Sequence, residues 1–141
     1  KVYAVDVGSR QLHYKLRNDK RVVNIENVNF RYFDKTLLQD PVEIITIDVS
    51  FISLNKILTP ASEILSNNGS IIAMIKPQFE LEPGETSKGV VKDEKLRTKA
   101  INKIKDYALS LGLSLIKEQD SAVKGPKGNT EHFILLNKKA G

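Results

Sequence analysis

Apolar residues recur along the chain with two periods, and the order in which these periods alternate predicts an α/β fold. Short β-prone apolar runs predict strands at residues 2–5, 21–25, 43–47, 70–75, 113–117 and 131–136. Helical spacing of apolar residues predicts helices at residues 11–17, 54–65 and 96–111. A glycine-containing turn at residues 125–129, rather than a helix, joins the last two strands. This order is typical of a mostly parallel sheet with a reversed last strand.

Three of the predicted strands end at a charged residue: Asp6, Asp48 and Lys76. Ligands of an open α/β sheet bind beyond the carboxyl ends of its strands, so all three residues are placed where chemistry occurs. Asp6 suits a carboxylate that accepts hydrogen bonds from ribose hydroxyls. A turn or a helix cap explains Asp6 equally well, and an NAD-dependent enzyme would show the same feature.

Asp48 and Lys76 are predicted to face one crevice and to form a pair that positions and activates a hydroxyl group. A structural ion pair is the alternative. Glu131 opens the last strand, and an acid on an apolar strand is costly unless it is paired. Pairing with Lys76 would explain Glu131, while a solvent-facing edge position stays equally open. His132 should point to the opposite face of that strand and is predicted to be structural.

Composition narrows the possible functions. The chain has 141 residues, no cysteine and two histidines, which excludes disulfides and a thiolate nucleophile and disfavours a metal site. No apolar run approaches the roughly 18 residues of a spanning helix, and no signal-peptide pattern is visible. We therefore expect an intracellular, cytoplasmic protein without a metal. The net charge of +5 weakly favours a polyanionic partner.

Two groups of basic residues have different expected roles. The polar stretch at residues 80–93 and the turn at 125–129 lie beside the predicted crevice. Their lysines are placed to meet phosphates, and these residues are Lys88, Lys92, Lys124 and Lys127. The predicted helix at 96–111 carries a second basic group, formed by Lys95, Arg97, Lys99, Lys103 and Lys105. Binding to RNA or to a membrane is open for this group, but a solvated face of a helix packed on the sheet is favoured.

Five motifs carry a resemblance to a known family. They are Tyr-Ala-Val-Asp-Val-Gly at 3–8, Ile-Asp-Val-Ser-Phe-Ile-Ser-Leu at 47–54, Ile-Lys-Pro-Gln-Phe-Glu at 75–80, Lys-Gly-Val-Val-Lys-Asp at 88–93 and Gly-Pro-Lys-Gly-Asn-Thr-Glu at 125–131. In this order they resemble the hemolysin A (TlyA) group of FtsJ-like ribosomal RNA methyltransferases. The resemblance runs over nearly the whole chain, and the second and third motifs are quite specific.

The resemblance implies a Rossmann-like fold and S-adenosylmethionine-dependent 2′-O-methylation of ribosomal RNA. Ribosomal RNA or a ribosomal subunit would be the partner. Asp48, Lys76 and Glu131 match the last three members of the family's Lys-Asp-Lys-Glu tetrad. The implied cofactor-binding residues are Asp6, Asn29, Phe30 and Asp48. Asn29 replaces an aspartate that more distant FtsJ-like enzymes carry beside the adenine.

The chain begins inside a predicted strand, which leads us to expect a partial methyltransferase domain at residues 1–141. The first strand, the glycine-rich turn, the first catalytic lysine and an S4-like RNA-binding domain are expected upstream, and the isolated piece is expected to be inactive. The sheet should be interrupted between the strand ending at Asp6 and the strand ending at Asp48, because the family's first strand lies between them.

Two other functions stay open from the sequence. Asp6 would suit a dinucleotide-binding oxidoreductase, although Lys76 and Glu131 have no evident role there. The family name suggests a membrane-active hemolysin, and membrane contact is therefore possible, although no segment supports it.

Overall fold

A computed structural model describes residues 1–139, which form six strands and three α-helices. The strands are β1 (Val2–Val5), β2 (Val22–Ile25), β3 (Val42–Ile47), β4 (Leu65–Ile75), β5 (Leu113–Asp120) and β6 (His132–Lys138). The helices are α1 (Tyr14–Arg17), α2 (Asn55–Ile64) and α3 (Glu94–Ser110). The chain divides into two compact units, residues 1–38 and residues 39–141.

The first unit contains β1, α1 and β2, and its two strands pair in parallel. Helix α1 is a single turn, shorter than the predicted helix at 11–17, because it begins only after His13, which is its N-cap residue. The His13 ring accepts a hydrogen bond from the Lys15 N–H at 3.2 Å, which caps the helix just before Tyr14.

The second unit contains a four-stranded sheet in the order β3-β4-β6-β5. Strands β3 and β4 are parallel, whereas β6 is antiparallel to both of its neighbours, β4 and β5. The reversed last strand that the sequence predicts is therefore confirmed. The described strands form two sheets, β1-β2 and β3-β4-β6-β5. Strand β1, which ends before Asp6, and strand β3, which ends before Asp48, therefore lie in different sheets, as predicted.

The core of the second unit lies on one face of its sheet. Alternate residues of β4 are fully buried, among them Ile71, Ala73 and Ile75, as period-2 alternation requires. Helices α2 and α3 bury one apolar stripe each, formed by Ile57, Leu58, Ala61, Ala100, Ile101, Ile104 and Ala108. No helix among residues 1–139 is long and apolar enough to cross a membrane.

Strand β4 begins at Leu65, five residues earlier than predicted, and directly follows α2. The strand pairing is irregular at residues 66–69, since Val42 pairs with Leu65 while Ile44 pairs with Ser70. Asn68 has a φ of 65° there. A Cβ on Gly69 would lie 2.6 Å from Leu65 Cδ1, so only glycine fits this bulge.

Most lysines on the polar face of α3 pair with carboxylates of the same unit. Lys99 contacts Glu85 and Lys105 contacts Glu118, each at 2.8 Å. The prediction that Arg97 belongs to this solvated face is wrong, because Arg97 is buried. It donates to the Thr130 carbonyl at 3.2 Å and also pairs with Glu94 and Asp120.

Candidate active site

Asp48 and Lys76 form an ion pair at the carboxyl ends of adjacent strands. Each residue directly follows its strand, β3 or β4, and Lys76 Nζ lies 2.7 Å from Asp48 Oδ1. The Lys76 side chain is 13% exposed and that of Asp48 67% exposed. Lys76 Nζ also donates to Ser50 Oγ at 3.1 Å. Two acceptors therefore fix the ammonium at the edge of the sheet where the sequence predicts a site.

Glu131 directly precedes β6 and is buried. Its carboxylate accepts a hydrogen bond from Gln78 Nε2 at 2.9 Å. The direct Lys76–Glu131 ion pair considered from the sequence is not formed among residues 1–139, because Gln78 takes that place. Gln78 lies two residues after Lys76, so the bond still brings Glu131 to the loop that carries the lysine. Gln78 Oε1 is buried and lacks a partner, an arrangement that a bound water or ligand donor would satisfy.

Gly125 lies against the Glu131 carboxylate. A Cβ at this position would come within 2.6 Å of both Cδ and Oε2 of Glu131, closer than real Cβ atoms approach. The Glu131 carbonyl accepts a hydrogen bond from the Ser121 N–H at 2.8 Å, which fixes the backbone on the other side. The absence of a side chain at Gly125 thus leaves space for the Glu131 carboxylate.

Glu80 joins the segment after Asp48 to the segment after Lys76. Its side chain is 1% exposed and accepts hydrogen bonds from Ser53 Oγ at 2.7 Å and from the Leu54 N–H at 2.8 Å. Leu54 is the N-cap residue of α2, so the carboxylate also lies at the positive end of a helix. Glu80 holds together the two loops that carry the ion pair.

Sequence reasoning named the motif that contains Glu80 but did not assign the residue to the site. The available signal was an acid directly after Phe79, in the same motif as Lys76, because an acid that is buried there needs a partner.

Phe51 is a second residue that the sequence analysis did not assign to the site. It is 89% exposed, three residues after Asp48, and its ring lies 4.8 Å from that of Phe79. Its φ is 62°, a left-handed conformation that is costly for a bulky residue and that clusters at functional sites. An exposed aromatic ring of this kind can stack on a nucleobase.

The predicted cofactor-binding residues Asp6, Asn29 and Phe30 all lie in the first unit. Asp6 is exposed, and its Oδ1 accepts a hydrogen bond from the Gly8 N–H at 2.8 Å, which matches the turn interpretation. Asn29 accepts from the Arg31 N–H at 3.1 Å and caps a 3₁₀ turn that begins at Phe30. The hydrogen bond that Asp6 accepts from Gly8 is compatible with ligand binding, because a carboxylate accepts more than one hydrogen bond.

The four lysines predicted to meet phosphates are all exposed: Lys88, Lys92, Lys124 and Lys127. The structure brings two of them together, since Lys127 Nζ donates to the Lys88 carbonyl at 2.9 Å. Lys124 Nζ donates to Thr130 Oγ1 at 2.6 Å, next to Glu131. In the described part of the chain none of the four forms an ion pair.

Titratable groups around β5 and β6 form a separate network. The pKa of Asp120 is lowered, first by its hydrogen bond with His132 and then by Arg97. The pKa of Glu118 is lowered, first by Lys105 and then by the second ring nitrogen of His132. His132 is buried and holds these carboxylates at 2.7 and 3.1 Å, which supports the structural role predicted for it.

A model of the FtsJ-like methyltransferase family matches residues 1–138. The chain belongs to this family. It is 44% identical to Hemolysin A of Brachyspira hyodysenteriae over 140 residues, covering 96% of this chain and 58% of that protein. It is 37% identical to the 16S/23S rRNA (cytidine-2′-O)-methyltransferase TlyA of Mycobacterium tuberculosis over 136 residues, covering 96% of this chain and 51% of that protein.

Solved structures agree with the predicted fold. A Lactococcus lactis protein described as a hemolysin superposes with a TM-score of 0.94 at 42% identity, covering 98% of this chain and 67% of that one. The fibrillarin of Methanococcus jannaschii superposes with a TM-score of 0.73 at 16% identity, over 99% of this chain and 56% of that one, which shows the fold alone. The FtsJ-like chain spans about half of the length of the curated relatives it matches.

Proposed function

We propose that the natural protein containing this FtsJ-like chain transfers a methyl group from S-adenosylmethionine to a ribose 2′-hydroxyl of ribosomal RNA. The observation that carries the proposal is the Lys76–Asp48 ion pair at the strand tips, with Glu131 held beside the same loop through Gln78. TlyA relatives from two bacteria are named rRNA (cytidine-2′-O)-methyltransferases. Residues 1–141 would supply part of the methyltransferase domain.

Asp6, Asn29, Phe30 and Asp48 are the residues that we assign to S-adenosylmethionine. The exposed Asp6 carboxylate follows β1 directly and suits the two hydroxyls of the cofactor ribose. Phe30 stacks on Phe33 with ring centroids 4.9 Å apart, which gives an aromatic surface suited to adenine. When bound, the cofactor supplies an electrophilic methyl group on a sulfonium.

Lys76, Asp48 and Glu131 are the residues that we assign to the ribose hydroxyl. A hydroxyl is a poor nucleophile and needs a strong hydrogen bond or deprotonation as it attacks the methyl carbon. Asp48 and Ser50 fix the position of Lys76 Nζ, which would orient the hydroxyl oxygen. As an ammonium, Lys76 would stabilise the negative charge that develops on this oxygen, and it would take up the hydroxyl proton only after giving one of its own protons to solvent. Because methyl transfer is an in-line displacement, such alignment supplies much of the acceleration.

The RNA surface that we propose combines exposed lysines with an exposed aromatic ring. Lys88, Lys92, Lys124 and Lys127 would contact phosphates, and Phe51 would stack on a base close to the ion pair. This surface agrees with the net charge of +5. A ribosomal RNA substrate would place the protein in the cytoplasm, with the ribosomes. No group of metal-ligating side chains occurs among residues 1–139, and the proposed reaction needs none.

The competing functions receive less support from the site. An oxidoreductase would leave the Lys76–Asp48 pair without a role, and family membership favours methyl transfer. The hemolysin alternative rests on the names of relatives rather than on a feature of this chain.

The proposal is tested by substitutions in the full natural protein, with transfer of tritiated methyl groups to ribosomal RNA as the assay. Lys76→Ala should abolish methylation and largely spare S-adenosylmethionine affinity, measured by isothermal titration. Lys76→Arg should not restore activity, because guanidinium stays protonated and has a different shape. Lys117→Ala changes an exposed lysine on β5 and is the matched control. Near-normal turnover of Lys76→Ala would refute the mechanism.

Asp6→Ala should show the opposite pattern. Losing a charged acceptor of ribose hydroxyls costs about 1.5–3 kcal/mol, which corresponds to a roughly ten- to hundredfold weaker cofactor affinity. Turnover at saturating cofactor should change much less. Unchanged affinity of Asp6→Ala would remove this residue from the cofactor site.

A further inference from the structure

Two Lys-Gly turns face each other in the second unit. Lys88 and Gly89 have φ values of 50° and 79°, and Lys127 and Gly128 have φ values of 60° and 83°. Hydrogen bonds between Ser87 and Val90, at 2.9 and 3.0 Å, close the first turn. The left-handed region is favoured by glycine and asparagine, so a lysine at both first positions is unusual.

The two turns touch directly. Lys127 Nζ donates to the Lys88 carbonyl at 2.9 Å. A Cβ on Gly89 would lie 3.0 Å from the same Nζ atom, so the glycine permits this close approach. The contact places the Lys127 ammonium against the backbone of Lys88, 39 residues away in sequence.

Asn129 is 3% exposed and forms hydrogen bonds with both turns. Its Nδ2 donates to the Gly89 carbonyl and to the Pro126 carbonyl, each at 3.0 Å, and its Oδ1 accepts from the Val91 N–H at 3.0 Å. Both donor hydrogens and the acceptor of the amide are therefore used. One bond goes to the turn that contains Lys127, and two go to the segment that contains Lys88.

The lysines of these turns differ from those of α3 in their partners. Three α3 lysines, Lys99, Lys103 and Lys105, contact carboxylates. In the described ranges Lys88 and Lys127 have no carboxylate within ion-pair distance, so their charges stay uncompensated. Left-handed conformations at non-glycine residues cluster at ligand sites, and unpaired cations beside them suit a ligand of negative charge.

We propose that Asn129 is a positioning residue that holds the two Lys-Gly turns as one preorganised surface for the phosphates of an RNA backbone. This inference rests on the proposed function, since it names how the same protein would hold its RNA. The surface adjoins the candidate active site, because Gly125 of the second turn lies against the Glu131 carboxylate. Fixing the backbone of both turns and the Lys127 ammonium before binding reduces the ordering cost that flexible loops would add.

The test is a double-mutant cycle in the full natural protein, with binding of a fluorescein-labelled single-stranded RNA oligonucleotide measured by anisotropy across a salt series. Lys88→Ala in the otherwise unchanged protein should weaken binding about tenfold at 50 mM salt and lower the salt slope by about 0.7. In the Asn129→Ala background the same change should cost about twofold or less, because the turn that carries Lys88 is no longer held in place.

Asn137→Ala is the matched control. Asn137 also donates from Nδ2 to two backbone carbonyls, those of Asn68 and Gly69, each at 3.1 Å, but it contacts neither Lys-Gly turn. We expect Asn137→Ala to leave the effect of Lys88→Ala unchanged. If Asn129→Ala fails to fold by circular dichroism, Asn129→Asp replaces it in the cycle, since it keeps the acceptor for Val91 and loses both donors.

Additive effects of the Asn129 and Lys88 substitutions would overturn the inference, as would a salt slope that neither substitution changes. Failure of the proposed function has a different signature, which is wild-type protein that binds the oligonucleotide without methylating ribosomal RNA. Cofactor affinity, measured with S-adenosylhomocysteine, should stay the same in every variant, because the turns carry none of the residues assigned to the cofactor.

Discussion

Glu80→Ala should destabilise the second unit by about 1–3 kcal/mol. The carboxylate is buried, and its removal leaves the Leu54 N–H without a partner at a site from which water is excluded. A buried unsatisfied donor costs about 1–3 kcal/mol, and the loss of a helix cap costs about 0.5–2 kcal/mol. These two costs overlap because both involve the same N–H. Lys103 adds little, since its half-exposed ammonium lies 3.3 Å away.

Urea unfolding followed by circular dichroism measures this loss, and the dependence on urea should keep its slope because the same surface becomes exposed. Glu80→Gln keeps an oxygen acceptor and should lose about 1 kcal/mol, the difference between a charged and a neutral hydrogen bond. Glu63→Ala, an exposed change on α2, is the control. If Glu80→Ala loses no more stability than Glu63→Ala, the carboxylate does not hold the two loops together and the reasoning fails.

Two further predictions concern other contacts. Gly125→Ala should displace the Glu131 carboxylate and lower methyl transfer without lowering cofactor affinity. Gly84→Ala is the control, because nothing lies within 4 Å of its new Cβ, and it should change neither methyl transfer nor cofactor affinity. Equal methyl transfer by the two variants would contradict this prediction. The hydrogen bond from His132 lowers the pKa of Asp120 below its unfolded value of about 4, so its stabilising contribution is complete above that pH and is lost as the pH falls through the folded pKa. Asp120→Asn should therefore reduce the free energy of unfolding at pH 6 more than at pH 3, and a reduction independent of pH would argue against the assignment.

The pattern of apolar runs predicted the strands that matter for the site, because the ends of those runs locate Asp48 and Lys76. The pair then follows from parallel neighbours whose carboxyl ends share one edge. Exact element limits followed local capping instead. Helix α1 begins after its N-cap residue His13, and β4 begins at Leu65 because its pairing continues across the bulge at Gly69. A pattern of hydrophobic residues shows neither effect.

The partners of buried polar groups were beyond the sequence, since they depend on contacts between distant segments. Gln78 and Glu131 are separated by 53 residues, and nothing local shows that the amide rather than Lys76 would meet the carboxylate. Arg97 follows the solvated Lys95 on α3, yet Arg97 is buried because its guanidinium pairs with Asp120 and donates to the Thr130 carbonyl.

The left-handed conformation of Lys88 and Lys127 has a consequence for the selection of variants. A non-glycine residue there forfeits roughly 1–2 kcal/mol that asparagine or glycine would largely recover. A screen for thermal stability alone would therefore enrich Lys88→Asn and Lys127→Asn, whereas a screen for RNA binding would retain both lysines if the proposed phosphate surface is used. Opposite outcomes of the two screens at positions 88 and 127 would separate the residues that give the most stable fold from the residues that function requires.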